Sequence, residues 1–386
     1  MKKRDNLQYG LSTMARDDEF FMAKAIDLAR KGRGSVEPNP MVGAVIVKEG
    51  KIIGQGYHER FGGPHAEINA INDALNHHED LTGATMYVTL EPCCHFGKTP
   101  PCTEAIISSG ISRVVSAIED VDPKVAGRGF KRLRDAGVEV VVGTRAEEVR
   151  KLLSGYIKLK TKQQPWVICK WAQSVDGKIA TVSGDSKWIS SAASRRRVHE
   201  LRRLCDGVCV GVGTVIADDP LLTSRDADDN PSPSQPVRVI LDSRLRIPLD
   251  CRLVRTLEVS PVIIATTNQA AADRLKLFQQ AGIEVLSFPS HEGKVDLQSL
   301  LTELGKREWT YLLIEGGRGV ITSFITQGLV DELMVFIAPC IIGGEGSISA
   351  VHGKDIERIT QVLKLPCPEV EQIDSDVLLR YIISQY

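Results

Sequence analysis

The chain has 386 residues, of which 42% are hydrophobic and 25% are charged, and its formal net charge is −1. This length predicts about two domains, each large enough to bury a core of its own. The near-neutral charge argues against a general nucleic-acid binder, which normally carries a basic excess, but it allows a local basic pocket. The sequence contains no apolar run long enough for a membrane span.

The first residues are not predicted to fold with the rest. Residues 1–16 begin basic but are not followed by an apolar run, so they do not have the pattern of a secretory signal. We expect this segment to be a disordered lead and the protein to be cytoplasmic. The chain has nine cysteines, and three of them crowd together at Cys93, Cys94 and Cys102. That pattern is typical of metal binding plus buried thiols, not of a disulfide framework.

A helix and a hairpin open the predicted structure. Residues 17–31 have helical periodicity, with Asp17 or Asp18 as the N-cap. The apolar face of this helix consists of Phe21, Ala25 and Leu28. Two strand-like runs on either side of residues 49–50 then predict a hairpin.

Helices and strands alternate after the hairpin. A helix is expected from His65, and its inward face consists of Ile68, Ile71 and Leu75. The elements expected next are a strand at 84–90, a helix from Cys102, a strand at 112–118, a helix near 126–136 and a strand at 138–143. A hairpin followed by such alternation predicts a three-layer α/β/α domain.

A second α/β domain is predicted for residues 164–386. Residues 144–166 have the pattern of a closing helix and a polar linker, with the boundary near Gln163–Gln164. Seven strand-like runs follow, with helical patterns between several of them. Residues 226–236 form a polar loop rich in proline and serine inside this domain.

The first candidate site is a zinc centre. Catalytic zinc takes three protein ligands and keeps one position for water, and His65, Cys93 and Cys102 supply one nitrogen and two thiolates. His65 and Cys102 both lie at predicted helix starts, where backbone amides favour a thiolate. Glu67 could then carry a proton from water to a leaving amine. Cys94 competes with Cys93, but neighbours in extended chain point opposite ways and the Pro-Cys context favours Cys93.

Three alternatives remain at this point. The order His-x-Glu, then Pro-Cys, is that of zinc deaminases, although the second cysteine follows nine positions later instead of three. A nucleic-acid deaminase would share these residues but would favour the shorter spacing and a basic surface. A structural zinc site would need a fourth ligand, for which His95 or Cys94 is available. Loss of activity in one half of the chain is the third alternative.

Four stretches of the first half carry a specific resemblance: PNPMVGAVIV, GYHERFGGPHAEINAI, TLEPCCHFGKTPPCTEAI and AGRG. They resemble the deaminase half of the bifunctional deaminase/reductase family of riboflavin biosynthesis, in which the longer cysteine spacing is the rule. The resemblance implies a cytidine-deaminase-like fold for residues 17–163. It implies Zn²⁺ on His65, Cys93 and Cys102, with Glu67 as the catalytic acid and base. The substrate contacts that it implies are Asn39, His58, His95, Lys98, Asp120 and Asp122, the last in place of the usual Asn.

The second candidate site is a cofactor cleft. Glycine-containing turns follow three strands, at 211–213, 316–317 and 343–344, and such turns let backbone amides approach a phosphate or a flat ring. None completes a G-x-G-x-x-G motif, so a Rossmann fold is weakly supported.

The stretches KWAQSVDGKIA, GDSKWIS, GVGTVIADDPLLTSR and IEGGRGV resemble the reductase half of the same family. The resemblance implies a dihydrofolate-reductase-like fold for residues 164–386 and NADPH as the cofactor. The substrate contacts that it implies are Ser186, Arg202, Asp219, Leu222, Arg225 and Glu315. The cofactor contacts that it implies are Lys170, Ala172, Trp188, Thr214, Asp218, Ser243, Gly316 and Gly317.

The resemblance covers nearly the whole chain past residue 17. It implies a bifunctional enzyme that removes an amino group from 2,5-diamino-6-ribosylamino-4(3H)-pyrimidinone 5′-phosphate by hydrolysis and then reduces the ribosyl chain with NADPH. The partner is thus expected to be a small phosphorylated pyrimidine, with no nucleic acid and no membrane. The resemblance also implies a homo-oligomer, dimer or tetramer.

Overall fold

The computed structural model describes residues 2–95, 100–353 and 355–384, with side chains from residue 16 onward. The chain divides into two compact units, Met1–Lys162 and Gln163–Gln385. Across these described parts, no helix has the length and apolar character needed to span a bilayer.

The first unit contains one sheet and the helices around it. Its strands are β1 (Gly43–Lys48), β2 (Lys51–Tyr57), β3 (Thr85–Leu90), β4 (Arg113–Ile118) and β5 (Glu139–Val142). Its helices are α1 (Lys2–Arg30), α2 (Ala66–Asn76), α3 (Cys102–Ser108), α4 (Arg128–Asp135), α5 (Ala146–Leu152) and α6 (Ser154–Lys162). The strand order is β2-β1-β3-β4-β5, in which β1 is antiparallel to both neighbours and β3, β4 and β5 run parallel.

Two glycines show that α1 and α2 cover opposite faces of this sheet. A Cβ on Gly43 would overlap with the carbonyl oxygen of Ala25 in α1, and a Cβ on Gly56 would overlap with the backbone of Ala70 in α2. Gly56 pairs with Ala44, the neighbour of Gly43, and successive strand residues point to opposite faces. The predicted three-layer α/β/α arrangement and the β1–β2 hairpin are therefore confirmed.

The N-terminal helix differs from its prediction. The sequence predicts a helix over 17–31 after a disordered lead, whereas α1 begins at Lys2 and ends at Arg30. Asp18 is consequently an interior helical residue and does not cap α1. Its carboxylate instead accepts hydrogen bonds from Arg113 at 2.9 Å and from the Tyr87 hydroxyl at 2.9 Å. The sequence pattern missed the extension because residues 1–16 lack apolar periodicity.

The inward face of α2 also differs from its prediction. Leu75, expected to face inward, is 53% exposed, while Ala70 and Ala74 are fully buried. The reason lies in the partner strand, where Gly54 and Gly56 bring the backbones so close that only alanine fits between them. Ile71 is buried, as predicted.

The second unit is built on a large mixed sheet. Its strands are β6 (Trp166–Ser174), β7 (Lys178–Ala180), β8 (Gly207–Gly211), β9 (Val237–Leu241), β10 (Val262–Thr267), β11 (Glu284–Phe288), β12 (Ser290–His291), β13 (Lys294–Val295), β14 (Tyr311–Gly316), β15 (Glu332–Ala338), β16 (Ile348–Ser349), β17 (Glu369–Ile373) and β18 (Asp376–Ile382). Its helices are α7 (Ala192–Arg203), α8 (Val212–Asp218), α9 (Arg252–Arg255), α10 (Ala272–Gln280), α11 (Leu297–Lys306) and α12 (Arg318–Thr326), with a 3-10 turn at Ile359–Gln361.

The strand order of this sheet is β11-β10-β9-β8-β14-β6-β15-β18-β17. The strands from β11 to β15 are parallel, and β18 and β17 complete the sheet as antiparallel strands. Alternate residues of β6 pack into two separate apolar clusters, since Ile168 belongs to one and Val167 to the other. Both faces of the sheet are therefore buried at β6. The carboxyl ends of β8, β14 and β6, at the centre of the sheet, border a cavity.

Candidate metal centre and cofactor cavity

Three elements of the first unit converge on one point. His65 immediately precedes α2, Cys93 follows β3, and Cys102 is the first residue of α3. The Nδ1 atom of His65 lies 3.6 Å from Sγ of Cys93 and 3.3 Å from Sγ of Cys102. All three candidate ligand atoms lie within 4.8 Å of one another.

This arrangement fits a tetrahedral zinc ion. Zn–S bonds of about 2.3 Å and Zn–N bonds of about 2.0 Å at tetrahedral angles place sulfur and nitrogen about 3.6 Å apart, close to what His65 shows with each cysteine. The backbone N–H of Cys102 donates to Sγ of Cys93 at 3.3 Å, which favours a thiolate there. The residues therefore suit a catalytic zinc ion held by three protein ligands.

The ligand groups also shift one another's protonation. Contact with the Cys102 sulfur lowers the pKa of Cys93 to about 4, against the opposing effect of burial and with the help of His65. The Cys93 thiolate in turn raises the pKa of His65 to about 9, although burial opposes it. Burial raises the pKa of Glu67 to about 7, and the His65 charge opposes this. Glu67 lies in the first turn of α2 and is only 3% exposed.

Asn39 and His58 form a polar pair beside His65. The rings of His58 and His65 meet edge to face, with centroids 5.5 Å apart. Nδ1 of His58 lies 2.9 Å from the carbonyl oxygen of Pro64, which can only accept, so this nitrogen carries the proton. Nε2 then accepts from the Asn39 amide at 3.2 Å. Burial lowers the pKa of His58, which agrees with a neutral ring.

Asp120 and Asp122 lie in the loop after β4. Oδ1 of Asp120 accepts from the Tyr156 hydroxyl at 2.8 Å, and Oδ2 of Asp122 lies 3.0 Å from Nζ of Lys160. Tyr156 and Lys160 both belong to α6. The two aspartates are thus already engaged by this helix.

The last two substrate contacts predicted for the first unit are His95 and Lys98. His95 is exposed. Lys98 lies outside the described residues, between positions 95 and 100.

The second unit contains a cavity of 560 Å³ at the carboxyl ends of its central strands. Ligands of open parallel sheets bind at this edge. All but two of the residues predicted for the reductase site line it, namely Lys170, Ala172, Ser186, Trp188, Arg202, Thr214, Asp218, Leu222, Arg225, Glu315, Gly316 and Gly317. The two exceptions are Asp219, whose carboxylate accepts from the Arg252 backbone N–H at 2.7 Å, and Ser243, whose carbonyl accepts from the Thr267 hydroxyl at 2.9 Å.

A buried ion pair lies in this cavity. Arg202 donates to both carboxylate oxygens of Glu315, at 2.6 and 2.8 Å, and its third nitrogen donates to the Thr223 carbonyl at 2.9 Å. Burial raises the pKa of Glu315, but the Arg202 charge and hydrogen bonds outweigh it and lower this pKa to about 2. Burial lowers the pKa of Lys170, and the Glu315 charge partly offsets this.

The protein backbone that borders the cavity also suits a dinucleotide cofactor. Gly316 adopts φ +135°, a conformation that side chains rarely tolerate, and a Cβ at Gly317 would approach the Thr214 hydroxyl to 3.0 Å. Helix α12 begins directly after these glycines, and the first N–H groups of a helix are available to a phosphate.

Sequence reasoning missed several residues of these sites. His199 lines the cavity one helical turn before Arg202, with Nδ1 3.2 Å from the Thr223 carbonyl oxygen. The three-residue spacing on α7 was the available signal. Asp229 also lines the cavity and pairs with Arg225 at 2.8 and 3.0 Å. In the first unit, the buried Glu91 was missed, although a buried glutamate directly after an apolar strand is unusual.

Two family models match this chain, one in each unit. Residues 165–379 match the RibD C-terminal domain, and residues 15–118 match the cytidine and deoxycytidylate deaminase zinc-binding region. The riboflavin biosynthesis protein RibD of Actinobacillus pleuropneumoniae is 44% identical over 366 residues, which cover 95% of each chain. The chain belongs to the RibD family. RibD of Escherichia coli is 37% identical over 375 residues, or 95% of this chain and 99% of its own.

Solved structures of the RibD family have the same fold. RibD of Acinetobacter baumannii has a TM-score of 0.84 at 37% identity and covers 96% of this chain and 100% of its own. A Thermotoga maritima protein, described as a diaminohydroxyphosphoribosylaminopyrimidine deaminase/5-amino-6-(5-phosphoribosylamino)uracil reductase, has a TM-score of 0.83 at 38% identity over the same shares.

Family membership confirms the class of function expected from the sequence. As a RibD-family protein, the chain is a bifunctional enzyme of riboflavin biosynthesis, a deaminase and a reductase. Its cofactors are Zn²⁺ and NADPH. The expected pairing of a cytidine-deaminase-like domain with an α/β reductase domain is confirmed as well.

Proposed function

We propose that the zinc centre removes the amino group at C2 of 2,5-diamino-6-ribosylamino-4(3H)-pyrimidinone 5′-phosphate. The observation that carries this proposal is the convergence of His65, Cys93 and Cys102 within 4.8 Å, with the buried Glu67 two residues after His65. The open fourth position of such a zinc site, when zinc is bound, supplies an acidified water as the nucleophile.

Glu67 moves the protons of this reaction. Its carboxylate takes one proton from the attacking water as the new C–O bond forms at C2 and passes it to ring N1. It then takes the proton of the C2 hydroxyl and delivers it to the amine as the C–N bond breaks. Ammonia leaves and a carbonyl remains. The burial of Glu67 supports this role, because it excludes bulk water from the proton transfer.

Asn39 and His58 are proposed to hold the pyrimidine. With Nδ1–H of His58 committed to Pro64, the ring fixes the orientation of the Asn39 amide. Asn39 and His58 can then present fixed donor and acceptor groups to the edge of the base. Lys98, His95, Asp120 and Asp122 remain proposed substrate contacts on the family resemblance.

The cavity of the second unit is proposed to reduce the deaminated product. Bound NADPH supplies the hydride to C1′ of the ribosylamino group. The C1′–O bond of the ring breaks, the ring oxygen takes a proton, and the ribityl chain of 5-amino-6-ribitylamino-uracil 5′-phosphate results. Lys170, Thr214, Gly316 and Gly317 are proposed to hold the cofactor, together with Ala172, Trp188, Asp218 and Ser243.

The two arginines of the cavity receive different roles. Arg202 has its guanidinium engaged by Glu315 and Thr223, so we assign it to holding Glu315 toward the substrate. Arg225 bonds to an exposed aspartate and is the better candidate for the substrate phosphate. Ser186, Leu222 and Asp219 complete the proposed substrate contacts.

The units Met1–Lys162 and Gln163–Gln385 support the proposed assignment of one activity to residues 17–163 and the other to 164–386. The proposal includes a cytoplasmic homo-oligomer, dimer or tetramer, on the family resemblance.

The test follows both activities on one sample. Zinc-loaded protein and substrate, without NADPH, should release one ammonia per substrate, and later addition of NADPH should start its oxidation. Ammonia release that stays at background from zinc-loaded protein would overturn the proposed substrate. Free nucleosides and tRNA are then the alternative substrates to assay.

A further inference from the structure

The carboxylate of Glu91 is enclosed by backbone amides. Oε2 accepts from the N–H groups of Asp120 at 3.1 Å and Gly127 at 2.9 Å, and Oε1 accepts from those of Gly129 at 2.8 Å and Phe130 at 3.2 Å. The side chain is buried, with 3% exposure. A carboxylate has about four acceptor positions, so these four bonds use its full capacity.

The loop is shaped to close around this carboxylate. A Cβ on Gly129 would overlap with the carbonyl oxygen of Pro92 and lie 3.0 Å from Oε1 of Glu91, so only glycine permits the approach. Gly127, the residue before α4, has φ +75° and so also takes a conformation that favours glycine. The segment from Asp120 to Phe130 is thus fitted to Glu91 rather than merely adjacent to it.

Glu91 lies two residues before the candidate ligand Cys93. Pro92 between them restricts the backbone, so that a shift of Glu91 is passed on to Cys93. On its other side Cys93 is held by α3, since its Sγ accepts from Cys102 N–H at 3.3 Å and its carbonyl from Thr103 N–H at 3.2 Å. Cys93 is therefore anchored on both sides, by Glu91 before it in the chain and by α3 after it.

We propose that Glu91 is a positioning residue of the zinc centre, which sets the place of the Cys93 thiolate by locking the end of β3 to the Asp120–Phe130 loop. This inference deepens the proposed deaminase function and rests on it. The residue type follows from the surroundings, because four N–H donors need an acceptor with no proton of its own. A glutamine would turn an NH₂ group toward two of these donors and leave them unpaired.

The experiment compares Glu91→Gln with the wild-type full-length chain. Zinc affinity, measured by competition with a chromophoric chelator, should weaken about ten- to a hundredfold, as is typical when a residue that orients a ligand is changed. In the cobalt-substituted protein, the thiolate-to-cobalt charge-transfer and d–d bands should shift or lose intensity. Deaminase kcat should fall by a similar factor, while NADPH turnover in the second unit, assayed with the already deaminated substrate, stays at the wild-type value.

Asp18→Asn is the matched control. Asp18 is another buried carboxylate of the first unit that accepts from an N–H and an O–H donor. It lies against Arg113 at the start of β4, whereas the loop that binds Glu91 follows the end of β4. The Asp18→Asn substitution should lower the stability of the first unit and leave the zinc affinity and the cobalt spectrum unchanged. If Glu91→Gln behaves like this control, with zinc affinity within twofold of wild type and the same cobalt bands, Glu91 is structural only and the inference is overturned.

A second variant keeps the test decisive should Glu91→Gln not fold. Glu91→Asp retains both acceptor oxygens but is one methylene shorter, so it draws the Pro92–Cys93 segment toward the loop. Zinc affinity should weaken about tenfold, and wild-type affinity would overturn the inference. Both metal readouts are independent of the substrate. A wild-type protein without ammonia release would defeat the proposed function and leave this comparison intact.

Discussion

Arg202 and Glu315 form a two-bonded ion pair inside the cavity of the second unit, at 2.6 and 2.8 Å, with side chains 14% and 9% exposed. Removing one charge leaves the other buried without its partner, which costs about 3 kcal/mol or more. Glu315→Gln should therefore destabilise the second unit by about that amount and abolish NADPH oxidation.

All four tryptophans lie in the second unit, at Trp166, Trp171, Trp188 and Trp309, so their fluorescence during denaturant unfolding measures this effect. Ammonia release by the first unit is the internal control and should not change. Wild-type stability together with wild-type NADPH turnover would contradict the importance of the pair.

Removing the charge of Asp229, the exposed partner of Arg225, should affect substrate binding by the reductase. The Asp229 side chain is 74% exposed and pairs with Arg225. If Arg225 binds the substrate phosphate, as proposed, Asp229 competes with that phosphate for the guanidinium. Because such exposed pairs are weak and screened by salt, Asp229→Asn should lower the reductase KM about threefold without changing kcat. The difference should shrink at high salt.

Asp228→Asn removes the same charge from the same loop and serves as the control. Asp228 bonds through its backbone N–H to Asp226. An equal fall in KM for both variants would indicate a general charge effect and contradict specific competition by Asp229.

The stability of the first unit should depend on pH through Asp18. Burial raises the pKa of this carboxyl, but the hydrogen bonds from Arg113 and Tyr87 and the Arg113 charge outweigh it, and the net shift is downward. A lowered folded-state pKa contributes stability above the unfolded pKa of about 3.9, and that contribution is lost as the pH falls through the folded value.

Asp18→Asn should accordingly lower the free energy of unfolding by about 2 kcal/mol at neutral pH, with a difference that narrows below about pH 4. The unfolding transition seen by circular dichroism but not by tryptophan fluorescence reports this unit. A difference that stays constant down to pH 3 would contradict the assigned pKa shift.

Glu67→Gln tests the proton carrier of the deaminase. The variant keeps His65, Cys93 and Cys102, so zinc content should remain at one ion per chain while kcat for ammonia release falls about a thousandfold. Metal analysis and an ammonia assay on the same sample separate the two effects. Loss of zinc together with activity would mean that Glu67 holds the site together instead of moving protons.

The sequence alone predicts those features that depend on residues close together in the chain. His65, Glu67, Cys93 and Cys102 stand in short motifs, and the structure brings the candidate ligand atoms of His65, Cys93 and Cys102 within 4.8 Å of one another. The β1–β2 hairpin was equally local, because Glu49 and Gly50 both take the positive φ that its two-residue turn requires.

The sequence was insufficient where contacts join distant residues. Two such contacts are the hydrogen bond from Gly129 N–H to Glu91 and the ion pair of Arg202 with Glu315. Both depend on the order of the strands in the sheets, which no local sequence pattern reveals. Leu75 was misplaced for the same reason, since the glycines of β2 decide which face of α2 is buried. Such positions require the tertiary structure.

The central claim is that one chain carries two separate sites that act in the order deamination, then reduction. The most direct measurement supplies the diamino substrate and NADPH to Glu67→Gln alone, to Glu315→Gln alone and to their mixture. We predict no NADPH oxidation by either variant alone, ammonia from Glu315→Gln, and NADPH oxidation once the two are mixed. NADPH oxidation by Glu67→Gln alone would show that reduction does not require prior deamination and would contradict the account.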